Sequence, residues 1–299
     1  MRVLVTGAGG FIGSAVARKL VTDGHEVTAV LSPVSGLERL TDIVDALKIV
    51  RADLVSADLT RLTTDVKPDA CIHLAWYVDP DRYLTATGEN LMSLAAGIRL
   101  VSALETTGCP RLVLAGTCLE GNRPAPHPGE TIYAASKSAL HRVAMCLERM
   151  SVVCGHIFSL YGRAEKPTRV VPRVIQACLE RRPIDVTSGE QTRDFLHVDD
   201  VAAGLAALAM SDIRGGVDVC SGRNTPLRDV FAAIEAAAGA SGVIRLGGRS
   251  RPPGEPSVIA GDVSTLTGLG WRANWTLSDG IADTVEWWRT RPRSERDSR

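Results

Sequence analysis

A doubly wound parallel α/β sheet with a smaller C-terminal substrate lobe is the fold this sequence predicts, on three observations. Residues 2–13, RVLVTGAGGFIG, form a short apolar run that turns through glycines into helix formers. About six strand-and-helix units then alternate over roughly 160 residues, the pattern of a parallel sheet covered on both faces. Beyond Gly162 the chain becomes irregular, basic and proline-containing.

The first strand and its turn carry the strongest signal. Residues 2–5 suit a strand buried on both faces, and residues 15–20 continue as a helix. A strand that turns through glycines into a helix aims backbone N–H groups and the positive end of the helix dipole at one point, where a pyrophosphate sits. Gly7, Gly10 and Gly13 are three apart, so the spacing is G-x-x-G-x-x-G, with Phe11 and Ile12 inside it. These five residues are the expected pyrophosphate cradle.

Composition narrows the partners. The 299 residues carry 34 basic and 34 acidic side chains, which leaves no net field to attract nucleic acid or an anionic membrane. An anionic ligand must therefore be held by locally placed arginines and N–H groups. The N-terminus shows no leader pattern and no apolar run is long enough to span a bilayer, so a cytoplasmic location is expected. Seven cysteines without a C-x-x-C pair predict neither a disulfide framework nor a metal site.

The second strand is read at residues 27–31, and its end reports on cofactor choice. An NAD-preferring site places an acid there to bind the ribose 2′-OH. This chain has Leu31-Ser32-Pro33, so a 2′-phosphate meets no carboxylate, and Ser32, Ser35 or Arg39 can bind it. NADP(H) is the expected cofactor, with NAD(H) as the alternative. Further strands follow at 49–54 and 69–76. The latter ends in Leu74, Ala75 and Trp76, where small residues let a cofactor approach the backbone. A helix at 89–106, a strand at 111–115, a helix at 131–150 and a strand-like run at 151–160 complete the sheet.

Two of these elements bring chemistry together. Tyr133 and Lys137 are spaced i, i+4 and share one helix face, while Thr117 follows the C-terminal end of the preceding strand, on the side of the glycine turn. Reduction of a carbonyl needs a proton donor at the oxygen as hydride arrives. A free tyrosine holds its proton too tightly, whereas a neighbouring ammonium favours the phenolate and a hydroxyl orients the carbonyl. Lys137 can also bond the nicotinamide ribose.

At this point the chain resembles the extended short-chain dehydrogenase/reductase family, also called the NAD-dependent epimerase/dehydratase family, whose members modify nucleotide sugars on a Rossmann-type fold. The resemblance rests on residues 6–13, Asp58-Leu59, His73-Leu74-Ala75, Asn90, Thr117, Tyr133 with Lys137, Leu160-Tyr161-Gly162, the segment 191–200 (QTRDFLHVDD) and Leu269-Gly270-Trp271. It implies that Thr117, Tyr133 and Lys137 are the catalytic triad and that Asp58 and Leu59 lie at the adenine. It also implies that Asn90 belongs to the cofactor site, that Ser159 replaces an asparagine at the phosphate, and that Arg193 and Arg251 bind the substrate's diphosphate. A homodimer is implied as well.

Departures from the family pattern point to the reaction. Dehydrating and decarboxylating members carry an acid one or two residues after the triad hydroxyl, where this chain has Cys118 and Leu119; Glu120 is three on and is expected to point elsewhere. A 4-epimerase keeps its nicotinamide bound through a full cycle, which favours a tight NAD site with the acid that Leu31 replaces. The expected activity is NADPH-dependent reduction of a nucleoside-diphosphate 4-keto-6-deoxyhexose, with dTDP as the nucleotide. The alternatives are an NAD-dependent 4-epimerase and a non-catalytic NADP-sensing protein.

The domain boundary is placed at 163. Residues 164–299 form mainly the substrate lobe, apart from a return to the nucleotide lobe at about 193–213, where an alanine-rich helix is read. Helices are read at 171–180 and 227–238. Arg181 and Arg182 are read as a solvated face, Trp287-Trp288 as packing, residues 121–130 as a trimmed lid, and 291–299 as a charged disordered tail.

Overall fold

The computed structural model describes residues 1–120, 131–252 and 254–291, so the lid expected at 121–130 and all but the first residue of the expected tail lie outside the described residues. The chain forms two compact units. Unit one comprises Met1–Ile157, Ala202–Val219 and Ser264–Trp271, and unit two comprises Phe158–Val201, Cys220–Val263 and Arg272–Arg299.

In chain order, unit one begins with β1 (Arg2–Thr6), α1 (Phe11–Thr22), β2 (Glu26–Leu31), β3 (Leu47–Arg51), α2 (Leu59–Val66) and β4 (Ala70–His73). It continues with α3 (Thr87–Thr107), β5 (Arg111–Thr117), α4 (Ile132–Met145) and β6 (Ser151–Ile157). Then come β7 (Ser159–Tyr161), α5 (Val170–Leu179), β8 (Ile184–Asp185), β9 (Thr192–His197), α6 (Val198–Ala209) and β10 (Gly215–Val219). The chain ends with β11 (Asn224–Pro226), α7 (Leu227–Ala238), β12 (Ile244–Arg245), β13 (Val258–Ile259), α8 (Ser264–Gly268) and α9 (Leu277–Arg289).

Unit one is built on a seven-stranded parallel sheet in the order β10-β6-β5-β4-β1-β2-β3. The order reverses beside β1, which has β2 on one side and β4 on the other, so a crevice opens at the C-terminal ends of β1 and β4. Val3, Leu4 and Val5 are fully buried because helices cover both faces, and Leu100, Leu104, Leu112 and Met150 fill the core on one of them. The glycine turn and the end of β5 thus face the same edge of the sheet.

Unit two holds a small mixed sheet in which β9 pairs in parallel with β7 and β13 and antiparallel with β11. Its core includes Tyr161, Val174, Ile175, Phe231, Ile234, Ile281, Val285 and Trp288. Trp287 and Trp288 stack edge to face at 5.0 Å, and Trp288 is buried, consistent with packing.

Several boundaries differ from the sequence reading. The run at 151–160 is two strands that break at Phe158, because β6 pairs with β5 and β10 whereas β7 pairs with β9. The return segment also differs: β9 belongs to unit two, and the chain rejoins unit one at 202–219 and 264–271. The helix expected to reach residue 150 stops at Met145, since the Arg214 guanidinium fastens the carbonyls of Leu147 (3.0 Å) and Met150 (3.3 Å) in a turn that buries Met150. Among the described residues no helix is long and apolar enough to cross a membrane.

Candidate active site

The cofactor cradle begins where β1 ends. Gly7 has φ +68°, and a Cβ there would lie 2.7 Å from the Ala75 nitrogen, so only glycine lets the turn after β1 press against the chain leaving β4. A Cβ on Gly13 would collide with the Gly7 carbonyl, which closes the turn onto α1. Gly10 is the N-cap of α1, with no side chain of its own, and the first turn of the helix contains no acid. The N–H groups of Phe11, Ile12 and Gly13 are first-turn donors without intrahelical acceptors, so the cradle fits a dinucleotide pyrophosphate.

The loop after β2 lies against this turn, since a Cβ on Gly9 would touch Leu31 Cδ2 at 3.0 Å and the Gly36 carbonyl at 3.3 Å. Ser32 and Ser35 share a hydroxyl hydrogen bond of 2.8 Å, and Ser32 is exposed. Arg39 is half-buried and its carbonyl accepts from Arg18 at 2.9 Å; burial lowers its pKa, which Glu38 opposes. Two residues here escaped the sequence reading. Arg51, at the end of β3, donates to the carbonyls of Ser32 (3.3 Å), Pro33 (3.3 Å) and Ser35 (2.7 Å), and so fixes the loop's shape. Glu38 folds its carboxylate over Gly36, so the loop does contain an acid, although none stands at the strand end itself.

At the end of β4 the N–H groups of Leu74 and Ala75 bond to Thr6, through its carbonyl (3.2 Å) and its Oγ1 (3.3 Å). Thr6 Oγ1 also meets Nδ1 of buried His73 at 2.7 Å, and burial, with the Lys137 charge, lowers the His73 pKa to about 3. Asn90 is fully buried and braces the chain that follows: it accepts from Trp76 Nε1 at 2.9 Å and donates to the carbonyls of Tyr83 (2.7 Å) and Ala86 (2.8 Å). Its amide is thereby engaged, and it acts on the site through Trp76. Asp58 is likewise engaged, accepting from Arg61 N at 2.9 Å as the N-cap of α2, while Leu59 enters the core.

Thr117, at the end of β5, and Tyr133 and Lys137, on α4, all lie in unit one. Thr131 caps α4 by accepting from Ala134 N at 3.2 Å, which places Tyr133 and Lys137 in the first two turns of that helix, against β5. The Lys137 ammonium donates to the Ala115 carbonyl at 2.5 Å and lies 5.3 Å from the centre of the Tyr133 ring and 4.8 Å from that of Trp76. Thr117, Tyr133 and Lys137 are each buried. Burial lowers the Lys137 pKa, and Glu120 and Cys154 oppose this. Tyr83 packs edge to face on Tyr133 at 4.9 Å. Thr117 Oγ1 accepts from Leu119 N at 3.3 Å, and Glu120 Oε1 accepts from Thr117 N at 2.6 Å. The Glu120 side chain is only 2% exposed and is turned toward His156, away from open solvent.

In unit two, Arg193 and Arg251 meet at one carboxylate. Arg193, 7% exposed, donates to Glu255 Oε1 at 2.6 Å and to the Thr192 carbonyl at 2.8 Å. Arg251 Nε lies 3.4 Å from Glu255 Oε2, and its Nη2 reaches Ser257 Oγ at 3.2 Å. Ser159 pairs with Phe195 in the β7–β9 ladder. Both guanidinium groups are thus gathered on an acid that sequence reasoning had left without a role.

A parallel sheet with a glycine turn at its switch point, and a buried tyrosine, lysine and threonine at the same edge, define an oxidoreductase-type enzyme of the short-chain dehydrogenase/reductase class. The chain belongs to the NAD dependent epimerase/dehydratase family, whose pattern matches residues 3–218. It is similar to a UDP-glucose 4-epimerase of Mycolicibacterium smegmatis, 32% identical across 97% of this chain and 99% of that one. A probable dTDP-glucose 4,6-dehydratase of Sinorhizobium fredii is 30% identical, with 96% and 93% covered. The crystal structure of a Thermus thermophilus UDP-glucose 4-epimerase in complex with NAD superimposes with a TM-score of 0.80 at 25% identity, covering 97% and 99% of the two chains. The chain is accordingly a nucleotide-sugar epimerase/dehydratase-type enzyme.

Proposed function

We propose that this enzyme reduces the 4-keto group of a nucleoside-diphosphate 4-keto-6-deoxyhexose, with dTDP as the nucleotide and NADPH as the reductant. A bound nicotinamide supplies the hydride that reaches the carbonyl carbon. Tyr133 gives its phenolic proton to the oxygen, the Lys137 charge stabilises the phenolate that remains, and Thr117 orients the carbonyl. Lys137 also holds the ribose, Ser32, Ser35 and Arg39 receive the 2′-phosphate, and Arg193 and Arg251 exchange Glu255 for the substrate's diphosphate.

The observation that carries this reading is the direction of Glu120. An elimination needs an acid and a base beside the sugar carbons, yet Glu120, the acid nearest Thr117 in sequence, is held by the Thr117 N–H in a buried position. What the residues at this edge support is hydride transfer with one proton, without loss of water. Consumption of NADPH on addition of a dTDP-4-keto-6-deoxyhexose, with formation of the dTDP-6-deoxyhexose, is the expected result. No consumption with any nucleoside-diphosphate ketosugar would contradict it.

A second reading, a 4-epimerase retaining NAD, draws on the Mycolicibacterium relative and on the carboxylate that Glu38 brings to the β2 loop. It requires that the purified protein carry bound NAD and interconvert UDP-hexoses without added cofactor.

A further inference from the structure

Four donor side chains that the proposed reaction does not use converge beneath the end of β5. They are Glu120, from the single turn after β5, His141 on α4, and Cys154 and His156 on β6; one donor atom from each lies within 4.8 Å of all the others. Cys154 and His156 are two residues apart, and so share one face of their strand.

The surroundings are shaped around these atoms. Gly116 pairs with His156, and a Cβ there would lie 2.6 Å from Cys154 Sγ, 2.8 Å from His156 Cδ2 and 2.9 Å from Glu120 Oε1. On the other side of β6, a Cβ on Gly216 would lie 2.7 Å from His156 Cε1. Both neighbouring strands therefore contribute a glycine where the donors gather.

Each donor atom is also directed. Glu120 Oε1 is occupied by the Thr117 N–H, leaving Oε2, which is buried and has no hydrogen-bond partner among the described residues. His141 Nε2 is buried and equally without a partner there. His156 turns Nδ1 to Asp218 Oδ1 at 3.4 Å and Nε2 to Glu120 Oε2 at 4.0 Å, the arrangement in which a carboxylate orients a ligating imidazole. The Cys154 thiol is buried and forms no disulfide. Buried acceptors left unpaired are costly, and one divalent cation would satisfy the carboxylate and both imidazoles together.

We propose that Glu120, His141, Cys154 and His156 form a structural site for a borderline-soft divalent cation of the Zn²⁺ class. Two nitrogens, one sulfur and one oxygen make a four-coordinate set suited to that ion, and a contraction of about 1 Å brings the donors to coordination distance. Binding replaces the Cys154 thiol proton, which leaves to solvent, so that thiolate and carboxylate balance the metal's charge. The Glu120 carboxylate then joins the metal through Oε2 to the Thr117 N–H through Oε1, which makes Glu120 a positioning residue for Thr117. The absence of paired-cysteine spacing gave no hint of this set, because its donors come from three separate elements.

The test is metal binding by the full chain after chelator treatment, titrated with Zn²⁺ and separately with Co²⁺. The expected result is one ion per chain, a thiolate-to-cobalt charge-transfer band with the strong visible bands of tetrahedral Co²⁺, and a thermal midpoint raised by Zn²⁺. Cys154→Ser should abolish the charge-transfer band, and His141→Gln should weaken Zn²⁺ binding at least tenfold, by about 1.4 kcal/mol. Cys146→Ser, at the exposed cysteine, should leave the spectrum unchanged. Absence of stoichiometric binding by the wild-type chain would overturn the proposal. So would a Co²⁺ spectrum that survives Cys154→Ser or is lost in Cys146→Ser, which would mark an adventitious surface thiol.

Discussion

Arg193 donates to Glu255 at 2.6 Å, with the Arg193 side chain buried and the Glu255 side chain 27% exposed, so an acid of the protein already occupies the position proposed for the substrate's phosphate. Arg251 adds a second contact to the same carboxylate. Glu255→Gln removes the competing charge and is expected to tighten dTDP binding about threefold, or ~0.7 kcal/mol. Arg193→Met is expected to weaken it at least tenfold, or ~1.4 kcal/mol. Calorimetric titration with dTDP reads both, and opposite signs are the expected signature.

Cofactor choice is predicted to depend on the exposed end of the β2 loop. Ser32→Asp places a charge where a 2′-phosphate would lie, without disturbing the buried Leu31. The ratio of kcat/KM for NADPH to that for NADH should fall about tenfold, or ~1.4 kcal/mol. A ratio that does not move would place the 2′-phosphate elsewhere.

Gly7→Ala tests the close approach of the turn to the chain beyond β4. The alanine would take a left-handed conformation costing about 1–2 kcal/mol and drive its methyl to 2.7 Å from the Ala75 nitrogen. Stability from urea unfolding is expected to drop by about 2 kcal/mol or more, with cofactor binding lost.

Stability should also fall toward alkaline pH through Glu165. Burial raises this carboxyl from 4.5 to about 8, with Arg169 opposing, and Oε2 has no hydrogen-bond partner among the described residues. A raised acid favours the fold while protonated. Its contribution is therefore complete below the unfolded pKa of 4.5 and is lost as pH rises through about 8. The loss is at most about 1.4 kcal/mol per pH unit in that window. Glu165→Gln should flatten the dependence, as read from urea midpoints between about pH 5.5 and about pH 8.5.

Much of this architecture was legible because it is local. The glycine turn at residues 7–13 declared itself by spacing, α7 is bounded as read at 227–238, and Tyr133 with Lys137 stood out because i, i+4 places them on one face of α4. What stayed hidden depends on partners distant in sequence. The run at 151–160 reads as one strand-like stretch, SVVCGHIFSL, and nothing in that pattern shows that the pairing partner changes from β5 to β9 at Phe158. Arg51 finds its three carbonyls 16 to 19 residues away, and Glu255 meets Arg193 across 62 residues. Asn90 is expected at the cofactor site from the family resemblance, but a sequence cannot show that its amide is spent on Trp76, Tyr83 and Ala86.

The proposed reaction stands or falls with the phenol of Tyr133. Single-turnover reduction of a dTDP-4-keto-6-deoxyhexose by NADPH, compared between the wild type and Tyr133→Phe, measures its part directly. A rate at least about 1000-fold slower, with NADPH affinity changed less than about twofold, is the expected outcome. A variant that reduces the ketosugar at the wild-type rate would contradict it.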